Sequence, residues 1–246
     1  MIRLLIPLVL GATAAQAAGS GLCDLADDDL IFTSCAGGAV ELRLLPEDAG
    51  ATPDGALDVT GGYTATDRRD EGRPKPVGLF VRGGEVISRE YVRFDGVLTI
   101  TDGAPALHHR RRILFGGQRY DLEDVADRAA FLSRAADSKS AVMQSHLLIV
   151  DGKVDTAPID GAPRFRRRIL FQLTDGPLGV FDSSPRMLTL NEATEEVAAR
   201  FAPAMALNLD MGSYDFCRSG AKLCGTLGPQ SLGKLSNLLR FVVASE

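Results

Sequence analysis

Short apolar runs separated by Gly, Asp or Pro recur along most of the chain, a pattern that predicts β-strands. The predicted strands cover residues 39–45, 77–81, 96–100, 140–150, 169–173 and 237–243. Asp-Gly pairs at 151–152 and 175–176 are typical of tight hairpin turns, which join antiparallel neighbours. We therefore expect much of the sheet structure to be antiparallel.

Two segments have the spacing of amphipathic helices. The first covers residues 122–136 and follows Asp121. The second begins after Thr189, which has the spacing of a capping box with Glu192, and Pro203 ends it. Its predicted apolar face consists of Leu190, Ala193, Val197, Ala198 and Phe201. Strands with two helices packed against them predict an α+β fold, a single domain of mixed, largely antiparallel β-sheets.

A further apolar run, residues 205–209, follows the second helix and stops at Asp210 and Gly212. A carboxylate in this position is expected to lie at the mouth of a strand. Asp210 is therefore either a candidate functional acid or a turn former, since Asp is common in turns.

The first 17 residues have the pattern of a secretory signal peptide. They contain one early positive charge at Arg3, an apolar run over residues 4–10 and a small-residue cleavage site at Ala15-Gln-Ala17. A membrane anchor is the alternative, but this run is far shorter than the roughly 20 residues that span a bilayer. We predict a signal peptide over residues 1–17, a mature domain over 18–246, a periplasmic or secreted location, and no membrane span after cleavage.

The charge balance and the four cysteines narrow the function classes. A formal net charge of −5 makes nucleic acid an unfavourable partner. Export favours oxidation of the cysteines, and the economical pairing joins sequence neighbours, Cys23 to Cys35 and Cys217 to Cys224. Zinc fits less well, because neither pair is a Cys-x-x-Cys and no histidine lies nearby in sequence. We predict no metal and no cofactor.

The second helix and the run after it carry a resemblance to a known family. Thr189-Leu-Asn-Glu192 followed by Ala206-Leu-Asn-Leu-Asp-Met-Gly212 resembles the last motif of the phosphodiester glycosidase family, Thr-Leu-x-Glu and then Ala-Leu-Asn-Leu-Asp-Gly-Gly. Earlier segments agree in order, namely Gly61-Gly-Tyr63, Pro76-Val-Gly-Leu-Phe-Val81, Phe94-Asp-Gly-Val97 and Gln144-Ser-His-Leu-Leu-Ile-Val-Asp-Gly152. The resemblance implies an exported hydrolase that cleaves a sugar from a phosphodiester.

The same resemblance implies roles for individual residues. Asp210 would transfer a proton to the leaving oxygen or stabilise positive charge as the glycosidic bond breaks. Arg167 would bind phosphate, although a solvated basic strand end is the alternative. Alternation along a strand points Arg167 to the face opposite Arg166 and Arg168. The other candidate contacts to a carbohydrate or sugar-phosphate substrate are Arg168, Gln144, Ser145, His146, Gly212 and Ser213, with His146 also compatible with a core or surface histidine.

Four positions depart from the family pattern. Thr60, His146-Leu147, Ile169-Leu-Phe171 and Met211 stand where the family has Asn, Gly-Pro, Gly-Val-Gly and Gly. Glycine is needed where φ is positive or where backbone approaches a ligand, so these changes indicate a reshaped pocket. Met211 in particular is expected to strain the loop or to occupy the sugar site. The alternative function is therefore a carbohydrate- or phosphoglycan-binding protein that has lost turnover.

Overall fold

The computed structural model of the protein describes residues 32–33, 39–66, 72–174, 176 and 178–242. The predicted signal peptide, the Cys23–Cys35 pair and Asp175 lie outside these residues. The helices are α1, Val125–Asp137, and α2, Leu190–Phe201, with short 3-10 turns at Gly212–Tyr214 and Pro229–Lys234. The strands are β1 Phe32–Thr33, β2 Ala39–Leu44, β3 Leu57–Thr60, β4 Thr64–Thr66, β5 Pro74–Pro76, β6 Leu79–Arg82, β7 Glu85–Arg89, β8 Gly96–Thr101, β9 Ala104–His109, β10 Ile113–Phe115, β11 Gln118–Tyr120, β12 Ala141–Ser145, β13 Leu147–Val150, β14 Lys153–Val154, β15 Arg168–Gln172, β16 Leu178–Asp182, β17 Met205–Asn208, β18 Cys217–Ser219, β19 Lys222–Leu223 and β20 Asn237–Val242.

Three sheets contain most of these strands. Sheet I has the order β1-β16-β15-β17-β13-β14, sheet II the order β7-β6-β12-β8-β9, and sheet III the order β19-β18-β3-β20-β2. The pairs β4–β5 and β10–β11 form separate two-stranded hairpins. The strand pairings in the described residues are antiparallel, which confirms that prediction, and helices make up a smaller part of the fold than an α+β class implies.

One hydrophobic core is shared by the inner faces of the three sheets. It contains, among others, Leu98 of sheet II, Leu170 and Leu207 of sheet I, and Val59 and Leu239 of sheet III. Because side chains alternate across a strand, the other faces of sheets I and II need separate covers. Helix α1 covers sheet II and helix α2 covers sheet I.

The two helices test the sequence prediction differently. Helix α2 begins at the predicted residue, and both hydrogen bonds of the Thr189–Glu192 capping box are present. Helix α1 begins at Val125, later than predicted, because Asp124 rather than Asp121 is the N-cap and accepts from the backbone N–H groups of the next turn. Asp121 instead accepts from Glu123 N and closes a turn before the helix.

The strand predicted over residues 140–150 is divided between two sheets. β12 pairs with β6 and β8 in sheet II, whereas β13 pairs with β14 and β17 in sheet I. His146 is the residue between them. The prediction of one strand was wrong because both halves are buried, so their apolar pattern does not reveal a change of sheet.

The C-terminal cysteine pair is confirmed. Cys217, at the start of β18, is bonded to Cys224, just after β19, with a Cα–Cα distance of 4.9 Å, so the disulfide closes this hairpin. In the part of the chain that the structure describes, neither α1 nor α2 has the length and apolar character that a membrane-crossing helix needs.

Candidate functional site

A cleft of about 390 Å³ lies at the carboxyl end of β17. Its lining consists of residues 208–214 together with Tyr63, Phe165 and Arg167. The structure thus brings together four of the predicted site residues, namely Arg167, Asp210, Gly212 and Ser213. Within the described ranges, His, Cys, Asp and Glu side chains form no group of three or more with a metal-binding arrangement.

Asp210 is held where sheets I and III meet. It follows β17, a central strand of sheet I, and its backbone N–H donates to the carbonyl of Gly61 beyond the end of β3, at 2.9 Å. Its Oδ2 accepts from the backbone N–H of Thr64 at 3.0 Å. A Cβ on Gly61 would lie 2.2 Å from Oδ1 of Asn237, so only glycine fits there without displacing its neighbour.

The surroundings of Asp210 favour its protonated form. The residue is only 7% exposed. Burial raises the pKa of Asp210 from 3.8 to about 6, and hydrogen bonds from the backbone N–H groups of Thr64 and Met211 oppose this rise. A carboxyl group with such a pKa exchanges a proton near neutral pH, as general acid–base catalysis requires.

Arg167 extends from the residue before β15 into the same cleft. Its Nε donates to the carbonyl of Leu188 and its Nη2 to that of Pro163, each at 3.0 Å, and the guanidinium lies 5.2 Å from the ring centre of Phe165. Burial lowers the pKa of Arg167, but a guanidinium remains charged at ordinary pH.

The positive charge of Arg167 has no carboxylate partner among the described residues, whereas the neighbouring arginines do. Arg164 pairs with Glu192, and Arg166 reaches Asp215 at 3.5 Å. In the described part of the cleft lining, Arg167 is therefore the cation whose charge is available to an anionic ligand.

Arg168, predicted to bind substrate, does not reach the cleft. It is 1% exposed, and its guanidinium donates to Asp182, to Asp215 and to the carbonyl of Phe216. As strand alternation predicts, Arg166 and Arg168 share a face and a carboxylate, that of Asp215. This network stabilises the loop that follows Asp210, so the structure places Arg168 in a structural position.

Gln144 and Ser145 also lie outside the cleft lining. The amide of Gln144 donates to the carbonyls of Val92 and Phe94 at 3.0 and 2.7 Å and accepts from Leu79 N at 3.1 Å. Both residues are fully buried, which leaves no access for the sugar contacts predicted for them.

Ser145 and His146 instead form hydrogen bonds with the backbone of Asn208, a residue that lines the cleft. Ser145 Oγ donates to the carbonyl of Asn208 at 2.5 Å, and the carbonyl of His146 accepts from Asn208 N at 2.9 Å. The His146 ring lies 4.3 Å from that of Phe94 and 6.0 Å from that of Tyr63. Burial lowers the pKa of His146, while the charge of Asp95 opposes this effect.

Two cleft residues escaped the sequence analysis as functional candidates, Tyr63 and Asn208. Asn208 Nδ2 donates to Tyr63 Oη, which brings together side chains 145 positions apart in sequence. Burial raises the pKa of Tyr63, the hydrogen bond from Asn208 lowers it, and the charge of Asp210 raises it further. Both lie in segments already noted for the family resemblance, but no local pattern indicates that they meet.

Met211 does not have the strained conformation expected of it. Its φ and ψ of −142° and −159° are extended, and the positive φ of this loop, 75°, belongs to Gly212. The left-handed position is thus one residue later than expected, where glycine is present. Met211 nevertheless lines the cleft, so the prediction that its side chain occupies sugar space is left to experiment.

Solved structures with the same fold are only remotely related in sequence. A zebrafish N-acetylglucosamine-1-phosphodiester alpha-N-acetylglucosaminidase catalytic domain, auto-inhibited by its pro-peptide, superposes with a TM-score of 0.54 and 11% identity over 89% of this chain and 77% of that one. A Burkholderia pseudomallei protein described as exported gives 0.57 and 14% over 86% and 73%. A hypothetical protein from Synechocystis gives 0.54 and 13% over 87% and 59%.

Comparison by sequence finds no match for this chain, whereas comparison by structure does. No protein-family model matches the chain, and no curated protein matches it. At identities of 11–14%, the structural similarity establishes a shared fold alone. The chain therefore has the fold seen in the zebrafish catalytic domain and in the exported Burkholderia protein.

Proposed function

We propose that the chain is an exported hydrolase that cleaves the glycosidic bond of a sugar-1-phosphodiester or related phosphoglycan. The observation that carries the proposal is a single cleft lined both by Asp210, a carboxyl group of pKa about 6, and by Arg167, which has no carboxylate partner among the described residues. The carboxyl group suits proton transfer and the guanidinium suits phosphate binding. The zebrafish protein of the same fold is named for activity on such a bond, which supports this substrate class.

In the proposed reaction, water adds at the anomeric carbon as the bond from that carbon to the glycosidic oxygen breaks. The oxygen leaves with the phosphate, giving a free sugar and a phosphate monoester. Protonated Asp210 donates its proton to the leaving oxygen, and Arg167 stabilises the negative charge that develops on the leaving group. The proton that the attacking water loses passes to solvent, from which Asp210 is reprotonated. Gly212 and Ser213, on the same cleft, are further proposed substrate contacts.

Export is part of the proposal and has two supports besides the N-terminal pattern. The Cys217–Cys224 disulfide suits an oxidising compartment, where such bonds persist. The Burkholderia protein that shares the fold is described as exported.

The second candidate is a carbohydrate- or phosphoglycan-binding protein without turnover. Two observations favour it. Among the described cleft-lining residues Asp210 is the only carboxylate, whereas most glycosidases use two. Met211 is part of the same lining, at a position where the phosphodiester glycosidase family, which this chain resembles, has glycine.

Sugar release from a panel of sugar-1-phosphodiesters separates the two candidates. For the hydrolase, Asp210→Asn lowers kcat by at least about 100-fold, the usual contribution of a general acid. Arg167→Met raises KM because the ground-state phosphate loses its cation, and it also lowers kcat because the charge on the leaving group is no longer stabilised. Asp160→Asn and Arg164→Met, which change exposed groups away from the cleft, serve as matched controls. Undiminished release by Asp210→Asn overturns the assignment of Asp210 as the general acid. Absence of release by both wild type and Met211→Gly, with sugar binding retained, establishes the binding protein.

A further inference from the structure

Tyr63 presents a hydroxyl group to the cleft from the segment after β3. Its ring packs against those of Phe94, at 4.9 Å, and His146, at 6.0 Å. Its oxygen accepts a hydrogen bond from Nδ2 of Asn208, so its own proton points away from that amide. Among the residues that the structure describes, this hydroxyl donates no hydrogen bond.

Asn208 is itself held rigidly. Its backbone N–H donates to the carbonyl of His146, and its carbonyl accepts from Ser145 Oγ. The residue is 6% exposed, and the one side-chain hydrogen bond of its amide within the described structure is the bond to Tyr63. Since a buried amide needs a partner, this bond fixes the direction of the phenol as well as the position of Asn208.

The phenol lies in the electrostatic field of both charged cleft residues. The charge of Asp210 raises the pKa of Tyr63 and that of Arg167 lowers it, while burial has the largest effect and raises it. The hydroxyl therefore keeps its proton at neutral pH and acts as a neutral donor. A phosphate oxygen is a strong acceptor for such a donor, and a phenol and a guanidinium that line one cleft can contact two oxygens of the same phosphate.

From this geometry we propose that Tyr63, oriented by Asn208, is a second phosphate-binding group and forms with Arg167 a two-point site for a singly charged phosphate diester. Tyr63 would touch the ligand, whereas Asn208 is a positioning residue that acts through it. The inference rests on the phosphate specificity in the proposed function, but it concerns binding and does not require turnover.

The charges in the cleft support a diester rather than a monoester. Arg167 is the one cationic side chain in the described cleft lining, and Tyr63 adds a donor without adding charge. Asp210 becomes negative above a pH of about 6, which opposes a doubly charged phosphate more than a singly charged one. One cation beside an ionised Asp210 likewise binds the doubly charged monoester product weakly, which favours its release.

The test is a protein-observed NMR titration with dimethyl phosphate, a diester that carries no sugar. Wild type is expected to bind saturably, and Tyr63→Phe, which retains the ring packing, is expected to lose about 10-fold or more in affinity, the usual effect of a hydrogen bond to a charged group. Tyr91→Phe, which removes a hydroxyl outside the cleft lining, is the matched control and should bind as wild type does.

Asn208→Leu separates positioning from packing. It should weaken dimethyl phosphate binding in the wild-type background and have no further effect in the Tyr63→Phe background, because the role proposed for Asn208 is to orient the phenol. Equal losses in both backgrounds indicate a general structural effect and overturn the positioning role. Wild-type thermal stability and spectra for each variant exclude loss of folding as the cause.

Two results overturn the phosphate site, namely absence of saturable binding by wild type and Tyr63→Phe binding as tightly as wild type. Sugar release assayed on the same variants separates this inference from the proposed function. Tyr63-dependent binding without sugar release leaves the site standing and removes the hydrolase. Sugar release with unchanged KM in Tyr63→Phe leaves the hydrolase standing and removes the site.

Discussion

Replacing Asp210 with asparagine should stabilise the folded protein at neutral pH, because the folded state holds a charge there in a poorly solvated position. Burial raises the pKa of Asp210 from 3.8 to about 6 in the folded protein. The folded state therefore binds the proton more tightly than the unfolded state, and ionising the group costs stability. Asparagine is close to the same size and carries no charge at any pH.

The magnitude follows from the pKa change. A rise from 3.8 to about 6 corresponds to about 3 kcal/mol, since one pKa unit is equivalent to about 1.4 kcal/mol. Below a pH of about 4 both states are protonated and the cost is absent. It grows as the pH rises from about 4 to about 6, and it is complete above a pH of about 6. Asp210→Asn should then be more stable than wild type by up to about 3 kcal/mol, and equally stable in acid.

Equilibrium urea unfolding with the disulfide intact, from a pH of about 4 to about 8, measures this difference. Asp160→Asn removes an exposed carboxylate and controls for the general loss of negative charge. A difference between wild type and Asp210→Asn that does not change with pH, or a variant less stable than wild type at neutral pH, refutes the reasoning. The expected result would mean that the protein retains Asp210 although its charge lowers the free energy of unfolding. Acid–base groups in active sites commonly have such perturbed pKa values.

Two further predictions concern the frame of the cleft. Arg168→Met leaves buried Asp182 without its cation and leaves Asp215 with Arg166 alone, at 3.5 Å, so it should destabilise the fold by about 3–5 kcal/mol. Arg164→Met, which breaks an exposed pair, should cost less than about 1 kcal/mol; equal urea midpoints for the two variants would contradict this. Gly61→Ala places a Cβ 2.2 Å from Asn237 Oδ1 and should lower the melting temperature, whereas Gly233→Ala, with no atom within 4 Å of its Cβ, should not. Calorimetry that finds the two alanine variants alike would show that the segment after β3 yields to the added methyl group.

Local features of the fold were readable from the sequence. Helix α2 begins at Thr189 with its capping box intact, and Cys217 is bonded to Cys224, because each feature joins residues close together in the chain. Strand alternation likewise determined that Arg167 and Arg168 point to opposite faces. These features depend on backbone hydrogen bonds and side-chain periodicity, which act over a few residues.

The tertiary structure alone decided which of those faces becomes the site. Alternation does not tell whether Arg167 or Arg168 meets the cleft. Arg168 is buried because it pairs with Asp182 on the neighbouring strand of sheet I and with Asp215 in the loop between β17 and β18. Residues 140–150 divide between two sheets, and Gln144 is buried in the first of the two strands. Both strands have the same apolar pattern, so the sequence does not reveal where the chain changes sheet.

The contact between Tyr63 and Asn208 likewise depends on tertiary packing. They are separated by 145 positions, and their contact exists only because β17 ends beside the segment that follows β3. The sequence by itself determined that an acid and an arginine lie at strand ends. Burial, which raises the pKa of Asp210, and the absence of a carboxylate beside Arg167 in the described chain come from long-range packing, which no local pattern encodes.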